Sequence, residues 1–331
     1  MFNDKSILVT GGTGSFGRLF IKTVRARYKP RRVVVYSRDE LKQYEMQQEA
    51  STPEMRYFIG DVRDGQRLKE AMRGIDYVVH TAALKQVPAA EYNPMECIKT
   101  NVHGAENIIS ACLENDVEKV IALSTDKAVN PVNLYGASKL ASDKLFVAAN
   151  NIAGRHRTRF GVVRYGNVVG SRGSVVPLYR KLLRSGATEL PVTDVRMTRF
   201  WITLQQGVEF VVKSFERLQG GEIFVPKIPS IRITDLVKAM APEAGVRVIG
   251  IRPGEKLHEV MCPLDDSRLT LEFADHFVIK PAIIFLSPIA YSPNPLGERA
   301  EPVSEGFDYN SGHNPWFLSV PEIRAMSEEA A

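Results

Sequence analysis

The sequence is poor in cysteine and contains no long apolar run. Cys97, Cys112 and Cys262 are widely spaced and form no Cys-x-x-Cys pair, which argues against a disulfide framework and a zinc site. The six histidines show neither His-x-His nor His-Glu-x-x-His spacing, so we expect no catalytic metal. The most apolar late segment, PAIIFLSPIA, is far shorter than the roughly 20 residues that span a bilayer. The amino terminus lacks a charged-then-apolar leader, so we expect a cytoplasmic protein without a membrane partner.

The chain also lacks a strong excess of charge of either sign. It has 43 basic and 38 acidic residues, a net charge of +5, and no long tract of Lys or Arg. A basic tract or a recognition motif is what a nucleic-acid-binding chain normally shows, so we expect no nucleic-acid partner. The 331 residues are 44% apolar, which is ample for a buried core of one large domain or two ordinary ones.

Short β-branched segments alternate with amphipathic helical patterns from the beginning of the chain. SILVT, RRVVVYS and IDYVVH are typical of strands, and residues 15–28, 39–49 and 94–114 are typical of helices. This alternation predicts crossover connections and a parallel sheet covered by helices on both faces. We therefore predict an α/β fold with a doubly wound parallel sheet, a Rossmann domain.

The alternation stops after TRFGVVRY, which indicates a second unit. We assign residues 1–166 to the Rossmann domain, with a probable return to its sheet at 199–226. Residues 167–198 and 227–331 are assigned to a smaller mixed α/β lobe and a carboxyl-terminal tail. The smaller lobe is expected to bind the substrate.

The motif VTGGTGSFG follows a strand and opens a helix. Glycine lets the backbone approach a dinucleotide pyrophosphate closely, while the amide groups of the helix terminus face the anion. A structural tight turn is the alternative. The predicted cofactor contacts here are Gly11, Thr13, Gly14, Ser15, Phe16 and Gly17.

The end of the second strand bears on which dinucleotide binds. Sites for NAD usually carry an acidic residue there, whereas this chain has Ser37 and Arg38, with Lys42 one helical turn on. A basic pair suits the 2′-phosphate of NADP, so NADP is predicted, although Arg38 and Lys42 are also consistent with a solvated helix start. Asp61 and Val62 are placed to meet the adenine, and Asp61 is alternatively a helix N-cap.

The segment YGASK places Tyr135 and Lys139 four residues apart, on one face of a predicted helix. An ammonium group there, helped by an oxidised nicotinamide, is expected to lower the pKa of the Tyr135 phenol. Such a phenolate takes the proton of a secondary alcohol while hydride leaves the same carbon. The spacing arises by chance in many helices, but it follows a strand of a dinucleotide-binding pattern here.

Together, TGGTGSFG, the strand end STDK, Asn101 in TNVHGAENI, and YGASK resemble the extended short-chain dehydrogenase/reductase family over nearly the whole chain. STDKAVNPVNLYGASK, RPGEKLHE (252–259) and the segment around Asn314-Pro315-Trp316 are similar to the inverting UDP-N-acetylglucosamine 4,6-dehydratases of the pseudaminic acid pathway, which serves flagellin glycosylation. The resemblance implies NADP as cofactor, a UDP-amino-sugar as substrate, and a homo-oligomer, either a dimer or a hexamer.

Within this family, the residues after the fifth strand discriminate between reactions. Dehydratases that retain configuration typically carry Thr-Asp-Glu, whereas this chain has Thr125-Asp126-Lys127. We hypothesise that Lys127, with a lowered pKa, removes the hydrogen at C5, and that protonated Asp126 donates to the departing 6-hydroxyl. Thr125 would hydrogen-bond the 4-oxygen. The alternatives are a local ion pair for Asp126 and Lys127, and strand capping for Thr125.

A nucleotide-sugar diphosphate also needs fixed cations, and the guanidinium fork fits phosphate oxygens. Lys85, in TAALKQVP, is similar to a family residue near nicotinamide and sugar, and Ala82 is assigned to the cofactor site; a solvated loop Lys is the alternative. The remaining predicted substrate contacts, each of which is alternatively a solvated surface residue, are Asn167, Arg172, Arg199, Arg252 and Glu255.

Three other functions fit parts of the pattern. A nucleotide-sugar 4-epimerase or simple reductase shares the fold, but an epimerase needs no base at C5. A dehydratase that also epimerises C5 and C3 would use the same residues. A non-catalytic NADP-sensing regulator would keep the glycine loop without needing Tyr135 and Lys139.

Overall fold

The computed structural model describes residues 1–49, 52–154, 156–171, 173–284 and 289–329. The strands are β1 (Ser6–Thr10), β2 (Arg32–Ser37), β3 (Met55–Ile59), β4 (Tyr77–His80), β5 (Lys119–Thr125), β6 (Arg159–Tyr165), β7 (Asn167–Val168), β8 (Glu189–Val192), β9 (Thr198–Ile202), β10 (Ile223–Pro226), β11 (Ser230–Arg232), β12 (Gly245–Val248), β13 (Val260–Cys262), β14 (Thr270–Glu272), β15 (His276–Ile279), β16 (Glu301–Pro302) and β17 (Tyr309–Asn310).

The α-helices are α1 (Ser15–Arg27), α2 (Glu40–Glu49), α3 (Gly65–Ala71), α4 (Val87–Tyr92), α5 (Pro94–Ile98), α6 (Gly104–Glu114), α7 (Leu134–Ile152), α8 (Val175–Arg184), α9 (Leu204–Arg217), α10 (Ile233–Met240) and α11 (Val320–Glu329). A π-helical stretch covers Lys99–His103, and short 3₁₀ segments cover Asp126–Ala128 and Leu264–Leu269. Among the described residues, no helix combines the length and apolarity needed to cross a membrane.

Seven parallel strands form most of one large sheet, in the order β3-β2-β1-β4-β5-β6-β10. All five residues of β1 and all four of β4 are buried, as expected for strands covered by helices on both faces. The predicted doubly wound α/β fold is therefore confirmed. Parallel strands end at the same edge, so the residues that follow β1, β4 and β5 meet there.

Three antiparallel strands extend the same sheet beyond β10, in the order β15-β14-β16. The sequence analysis had assigned residues 227–331 to the smaller lobe and a carboxyl-terminal tail, whereas β14, β15 and β16 pair with the large sheet. β15 pairs with β10, and β14 with β16, across long stretches of sequence, and the short lengths of these strands give no periodicity that reveals the pairing.

The smaller lobe has its own hydrophobic core. This core includes Tyr179, Trp201 and Ile323, whereas Phe200 belongs to the core of the large sheet. Because side chains alternate along a strand, β9 contributes to both cores through consecutive residues. The sheets β11-β9-β7 and β12-β8 complete this lobe.

The predicted helix over 94–114 is interrupted by the π-helical stretch. Asn101, within it, donates from Nδ2 to the carbonyl of Leu84 at 2.9 Å and accepts from the Leu84 amide at 2.8 Å. Asn101 Nδ2 also lies 2.9 Å from the Ser138 hydroxyl on α7. The wider turn therefore ties the loop after β4 to the helix that carries Tyr135.

Candidate active site

One cavity of about 1210 Å³ lies at the carboxyl edge of the parallel strands, between the sheet and the smaller lobe. It exceeds the roughly 300–1,000 Å³ of a typical single-ligand pocket, so it has room for a cofactor and a substrate. Apart from buried Asp126, the predicted site residues that the structure describes all line it. Arg172 lies outside the described residues.

The loop between β1 and α1 is shaped for close approach of a ligand. Gly11 has a φ of +63°, and a Cβ there would lie 2.8 Å from Thr81 Oγ1. A Cβ on Gly17 would lie 2.5 Å from Gly12 Cα, so glycine is required for α1 to pack against the loop. The N-cap of α1 is Gly14, which has no side chain to occupy the first amide groups of the helix. These amides fit a dinucleotide pyrophosphate.

The end of β2 carries the predicted cofactor specificity residues. Ser37 Oγ lies 2.9 Å from Thr13 Oγ1, which joins the strand end to the glycine loop. The Arg38 side chain is 58% exposed, with Nη1 3.6 Å from Asp61 Oδ2. Lys42 forms an ion pair with Asp39, the residue that begins the turn into α2. Arg38, Lys42 and two carboxylates therefore lie together at the end of β2, where the adenosine ribose of a dinucleotide is predicted to bind.

Asp61 is not the N-cap of α3. That position belongs to Asp64, whose side chain accepts from the amide of Arg67 at 2.9 Å. Asp61 instead accepts from the amide and the guanidinium of Arg63, and it stays on the cavity wall with Val62. The N-cap alternative is thus wrong.

The strand β5 delivers the Thr-Asp-Lys segment to the cavity. Thr125 Oγ1 accepts from the amide of Lys127 at 3.3 Å and so caps the 3₁₀ turn that follows β5. The same hydroxyl donates to Asp126 Oδ1 at 3.0 Å. Asp126 is fully buried, and its Oδ2 has no hydrogen-bond partner among the described residues. Oδ1 of this carboxyl therefore accepts a hydrogen bond, whereas Oδ2 accepts none from the described residues.

The helix α7 begins against this turn. Asn133 caps it by accepting from the amide of Gly136 at 2.8 Å. A Cβ on Gly136 would lie 2.2 Å from the carbonyl oxygen of Lys127, so only glycine allows so close an approach. Tyr135, the residue before Gly136, therefore lies beside Thr125 and Lys127. The Thr125 hydroxyl and the Lys127 charge each act to lower the pKa of the Tyr135 phenol.

Three polar residues of α7 follow one another at four-residue spacing: Tyr135, Lys139 and Asp143. Lys139 is 3% exposed and Asp143 is 1% exposed. Asp143 Oδ2 accepts from Ser124 Oγ at 2.8 Å and from Arg164 Nη2 at 3.2 Å. The sequence analysis missed Asp143, although the continued spacing was the signal that it shares this face.

The pKa of Tyr135 is shifted in the direction opposite to the one expected. Burial raises it to about 12, and the positive charge of Lys127 offsets only part of this effect. Burial also lowers the pKa of Lys139, against the attraction of Asp143. Desolvation dominates this shift and Lys127 is the cation that opposes it, so the lowering expected from Lys139 together with an oxidised nicotinamide stays a prediction.

Lys127 is held between two buried carboxylates. Its Nζ lies 2.9 Å from Asp126 Oδ1 and 3.5 Å from Glu259 Oε1. Burial lowers the pKa of Lys127, but Asp126 and Glu259 together outweigh this and raise it above its ordinary value. The expected lowering is therefore wrong, and the ion pair considered as the alternative is present. The sequence analysis placed Glu259 in the RPGEKLHE motif but gave it no role.

The two predicted substrate-binding arginines that the structure describes differ in how far they are exposed. Arg199 is 8% exposed and donates to the carbonyls of Lys256 at 3.0 Å and Leu257 at 3.2 Å, so it holds the segment of residues 252–259. Arg252 is exposed to the cavity and forms an ion pair with Glu255.

Five residues that line the cavity have a buried polar atom without a hydrogen-bond partner among the described residues: Thr100 Oγ1, Asn167 Oδ1, Ser174 Oγ, Trp201 Nε1 and Glu259 Oε2. Asn167 was predicted from the sequence, whereas Ser174 and Trp201 were missed. Ser174 is the N-cap of α8 and its side chain makes no capping hydrogen bond, so this helix begins at the cavity wall. Unsatisfied buried polar groups at a pocket wall are suited to bind a polar ligand.

Residues 7–281 match a protein family described as polysaccharide biosynthesis protein. The chain belongs to this family. It is 63% identical over 324 residues to a protein of Campylobacter jejuni named UDP-N-acetylglucosamine 4,6-dehydratase (inverting), with 98% of this chain and 97% of the relative covered. It is 43% identical over 337 residues to a UDP-glucose 4-epimerase of Rickettsia canadensis, with 98% and 96% covered.

A solved structure also closely resembles this one. The X-ray structure of Pen from Bacillus thuringiensis superposes with a TM-score of 0.89 at 35% identity and covers 100% of both chains. The resemblance to the short-chain dehydrogenase/reductase family is confirmed, and so is the prediction of an enzyme of the dehydratase class.

Proposed function

We propose that this chain is a UDP-N-acetylglucosamine 4,6-dehydratase that inverts C5. Its product would be a UDP-2-acetamido-2,6-dideoxy-4-keto-L-arabino-hexose. The observation that carries the proposal is the pairing of Lys127 with buried Asp126 beside Tyr135, at the inner wall of a cavity large enough for two ligands. The identity with the Campylobacter relative supports the same reaction.

The cofactor we propose is NADP. The glycine loop and the free amides of α1 fit its pyrophosphate, and exposed Arg38 with Lys42 and Ser37 fits a 2′-phosphate. Asp61, Val62, Ala82 and Lys85 line the remainder of this half of the cavity. A bound nicotinamide supplies the acceptor for hydride from C4 and the donor of hydride to C6.

The first role in the chemistry belongs to Tyr135, which accepts the proton of the sugar 4-hydroxyl. Its pKa of about 12 shows that burial disfavours the phenolate, so nearby positive charge is needed to stabilise it. Lys127 supplies such charge, and Lys139 lies one helical turn along the same face. The resulting ketone at C4 acidifies the hydrogen on C5.

The ion pair between Lys127 and Asp126 supplies both a base and an acid in this proposal. Transfer of a proton from Lys127 Nζ to Asp126 Oδ1, across 2.9 Å, turns the ammonium and carboxylate into a neutral amine and a neutral acid. The amine takes the proton from C5, and the acid gives its proton to the departing 6-hydroxyl, which leaves as water. The pair ends in its original charged form, and a proton that reaches C5 from the opposite face inverts that centre.

The substrate diphosphate would lie toward the smaller lobe. Exposed Arg252 offers a guanidinium, and the amides at the start of α8 offer hydrogen-bond donors. Asn167 and Glu255 are proposed to bind polar groups of the sugar or uridine, and Arg172 is proposed as a further cation. Buried Arg199 is instead proposed to hold the segment that presents Arg252 and Glu255.

A nucleotide-sugar 4-epimerase is the second candidate, favoured by the Rickettsia relative. Incubation of purified protein with UDP-N-acetylglucosamine, followed by mass spectrometry, distinguishes the two reactions. A product lighter by one water supports dehydration, whereas an isomer of unchanged mass contradicts it. Proton NMR of the product then shows whether C3 is also epimerised.

We further propose that the protein acts as a cytoplasmic homo-oligomer, a dimer or hexamer, and that its product enters pseudaminic acid synthesis. Light scattering after size-exclusion chromatography measures the oligomer directly. A monomeric mass at working concentration contradicts this part of the proposal.

A further inference from the structure

Five charged residues meet where the smaller lobe touches the end of β5: Asp126, Lys127, Arg199, Lys256 and Glu259. We call this group the Glu259 cluster. Glu259 is 2% exposed, and its Oε1 lies 3.5 Å from Lys127 Nζ and 4.0 Å from Arg199 Nε. Its Oε2 lies 3.6 Å from Lys256 Nζ. A carboxylate buried this deeply requires such partners, because desolvation is costly.

Two members of the cluster, Lys256 and Glu259, belong to a segment that crosses the cleft. Residues 252–259 contain two proposed substrate contacts, Arg252 and Glu255. Asn133, the N-cap of α7, donates to the carbonyl of Gly254 at 2.8 Å, and Lys256 Nζ donates to the carbonyl of Val129. The substrate-binding segment is therefore fixed to the catalytic turn by charge and by hydrogen bonds.

The two carboxylates around Lys127 are not equivalent. Asp126 lies at hydrogen-bond distance from the ammonium, whereas Glu259 lies 3.5 Å away and shares its charge with Lys256 and Arg199. The shorter contact suits proton transfer, and the longer one suits electrostatic orientation.

We propose that Glu259 is a positioning residue for Lys127, whose ammonium it aims into the cleft and couples to the segment that binds the substrate. The inference rests on the proposed dehydratase function. Without Glu259, Lys127 would keep Asp126 as a neighbour but lose its link to the smaller lobe. The charged or titratable groups that face Lys127 would then be Asp126, Tyr135, Arg199 and Lys256.

Removal of the Glu259 charge has two separable consequences. The Lys127 ammonium loses one stabilising carboxylate, so less alkaline conditions suffice to deprotonate it. The side chain also loses its orientation, so the amine meets C5 less often in a productive geometry. Packing alone would produce neither a shift in pH dependence nor a selective loss at C5.

The test compares Glu259→Gln with the native chain in two partial reactions in D₂O. Formation of reduced nicotinamide in a single turnover reports oxidation at C4, and deuterium entry at C5, followed by NMR, reports the Lys127 step. We expect C4 oxidation to stay within about threefold, and C5 exchange to fall at least tenfold at its pH optimum. The alkaline limb of the exchange profile, on which Lys127 loses to solvent the proton that it must pass to Asp126, should move to lower pH by about one unit. Glu222→Gln, which changes a buried carboxyl outside the cavity, should leave the profile unchanged.

Three outcomes would overturn the proposal: native C5 exchange in Glu259→Gln, equal losses in both partial reactions, or an unshifted pH limb. If Glu259→Gln does not fold, Glu259→Asp replaces it. That variant keeps the charge but draws it away from Lys127, so slower C5 exchange with a nearly native pH limb is expected, and native exchange refutes the proposal. Failure of the native chain to release water would instead refute the dehydratase function itself.

Discussion

The close contact between Gly136 and the Thr-Asp-Lys turn makes a sharp prediction for Gly136→Ala. The new Cβ would lie 2.2 Å from the carbonyl oxygen of Lys127 and 3.1 Å from Pro131 Cβ. A tolerable carbon–oxygen contact is about 1 Å longer, so the start of α7 must move away from the turn by about that distance. Tyr135 is the preceding residue, and it moves with the helix.

This displacement should lower both the free energy of unfolding and the turnover rate. Overpacking typically destabilises a protein by about 1–3 kcal/mol, and the better helix propensity of Ala returns at most about 1 kcal/mol. We therefore expect the free energy of unfolding to fall by roughly 1–2 kcal/mol, measured by urea denaturation. Turnover should fall by roughly 100-fold, since a misplacement of about 1 Å in an active site costs that much.

Gly207→Ala is the matched control. Gly207 is also a helical glycine, in α9, but the nearest atoms to its added Cβ are ring carbons of Tyr165 at 4.0 Å. This variant should be as stable as the native chain or more stable, with unchanged turnover. Native stability and turnover in Gly136→Ala, or equal damage in both variants, would refute the reasoning.

Three further predictions concern other parts of the molecule. Tyr135→Phe should bind the cofactor as the native chain does but lose turnover, because the 4-hydroxyl loses its proton acceptor; retained turnover assigns that role elsewhere. Arg38→Ala should weaken NADP binding by roughly fivefold to tenfold in calorimetric titration without changing NAD binding, and equal losses for both would contradict a 2′-phosphate site. Burial raises the pKa of Glu222 from 4.5 to about 7, so its contribution to stability is complete below about pH 4.5 and is lost as the pH rises through about 7. The native unfolding free energy should thus fall by about 3 kcal/mol across that range relative to Glu222→Gln, and parallel pH profiles would contradict the shift.

The regular part of the fold was predictable because its signals are local. The predicted helices over 15–28 and 39–49 are present as α1 (Ser15–Arg27) and α2 (Glu40–Glu49). In contrast, the π-helical stretch at Lys99–His103 depends on the contacts of Asn101 with Leu84 and Ser138, which no helical periodicity records. The antiparallel strands β14–β16 likewise depend on long-range pairing.

The sequence predicted which residues form much of the candidate site, but not the directions of their pKa shifts. Residue types and spacing located Asp126, Lys127 and Tyr135 at one strand edge. They did not reveal Glu259, because its meeting with Lys127 joins residues 132 positions apart. The direction of a pKa shift depends on the balance of burial and charge, which the sequence does not reveal, and the pKa values of Tyr135 and Lys127 are both raised in this structure.

The most direct test of the account follows C5 of UDP-N-acetylglucosamine by NMR in D₂O, with native protein and with Lys127→Met. The account predicts that the native chain releases water and places deuterium at C5. It also predicts that Lys127→Met reduces the nicotinamide more slowly, because Tyr135 loses a nearby positive charge, and that it neither exchanges C5 nor releases water. Water release by Lys127→Met at the native rate, or a native product without deuterium at C5, would contradict the central claim that the Lys127 amine is the base.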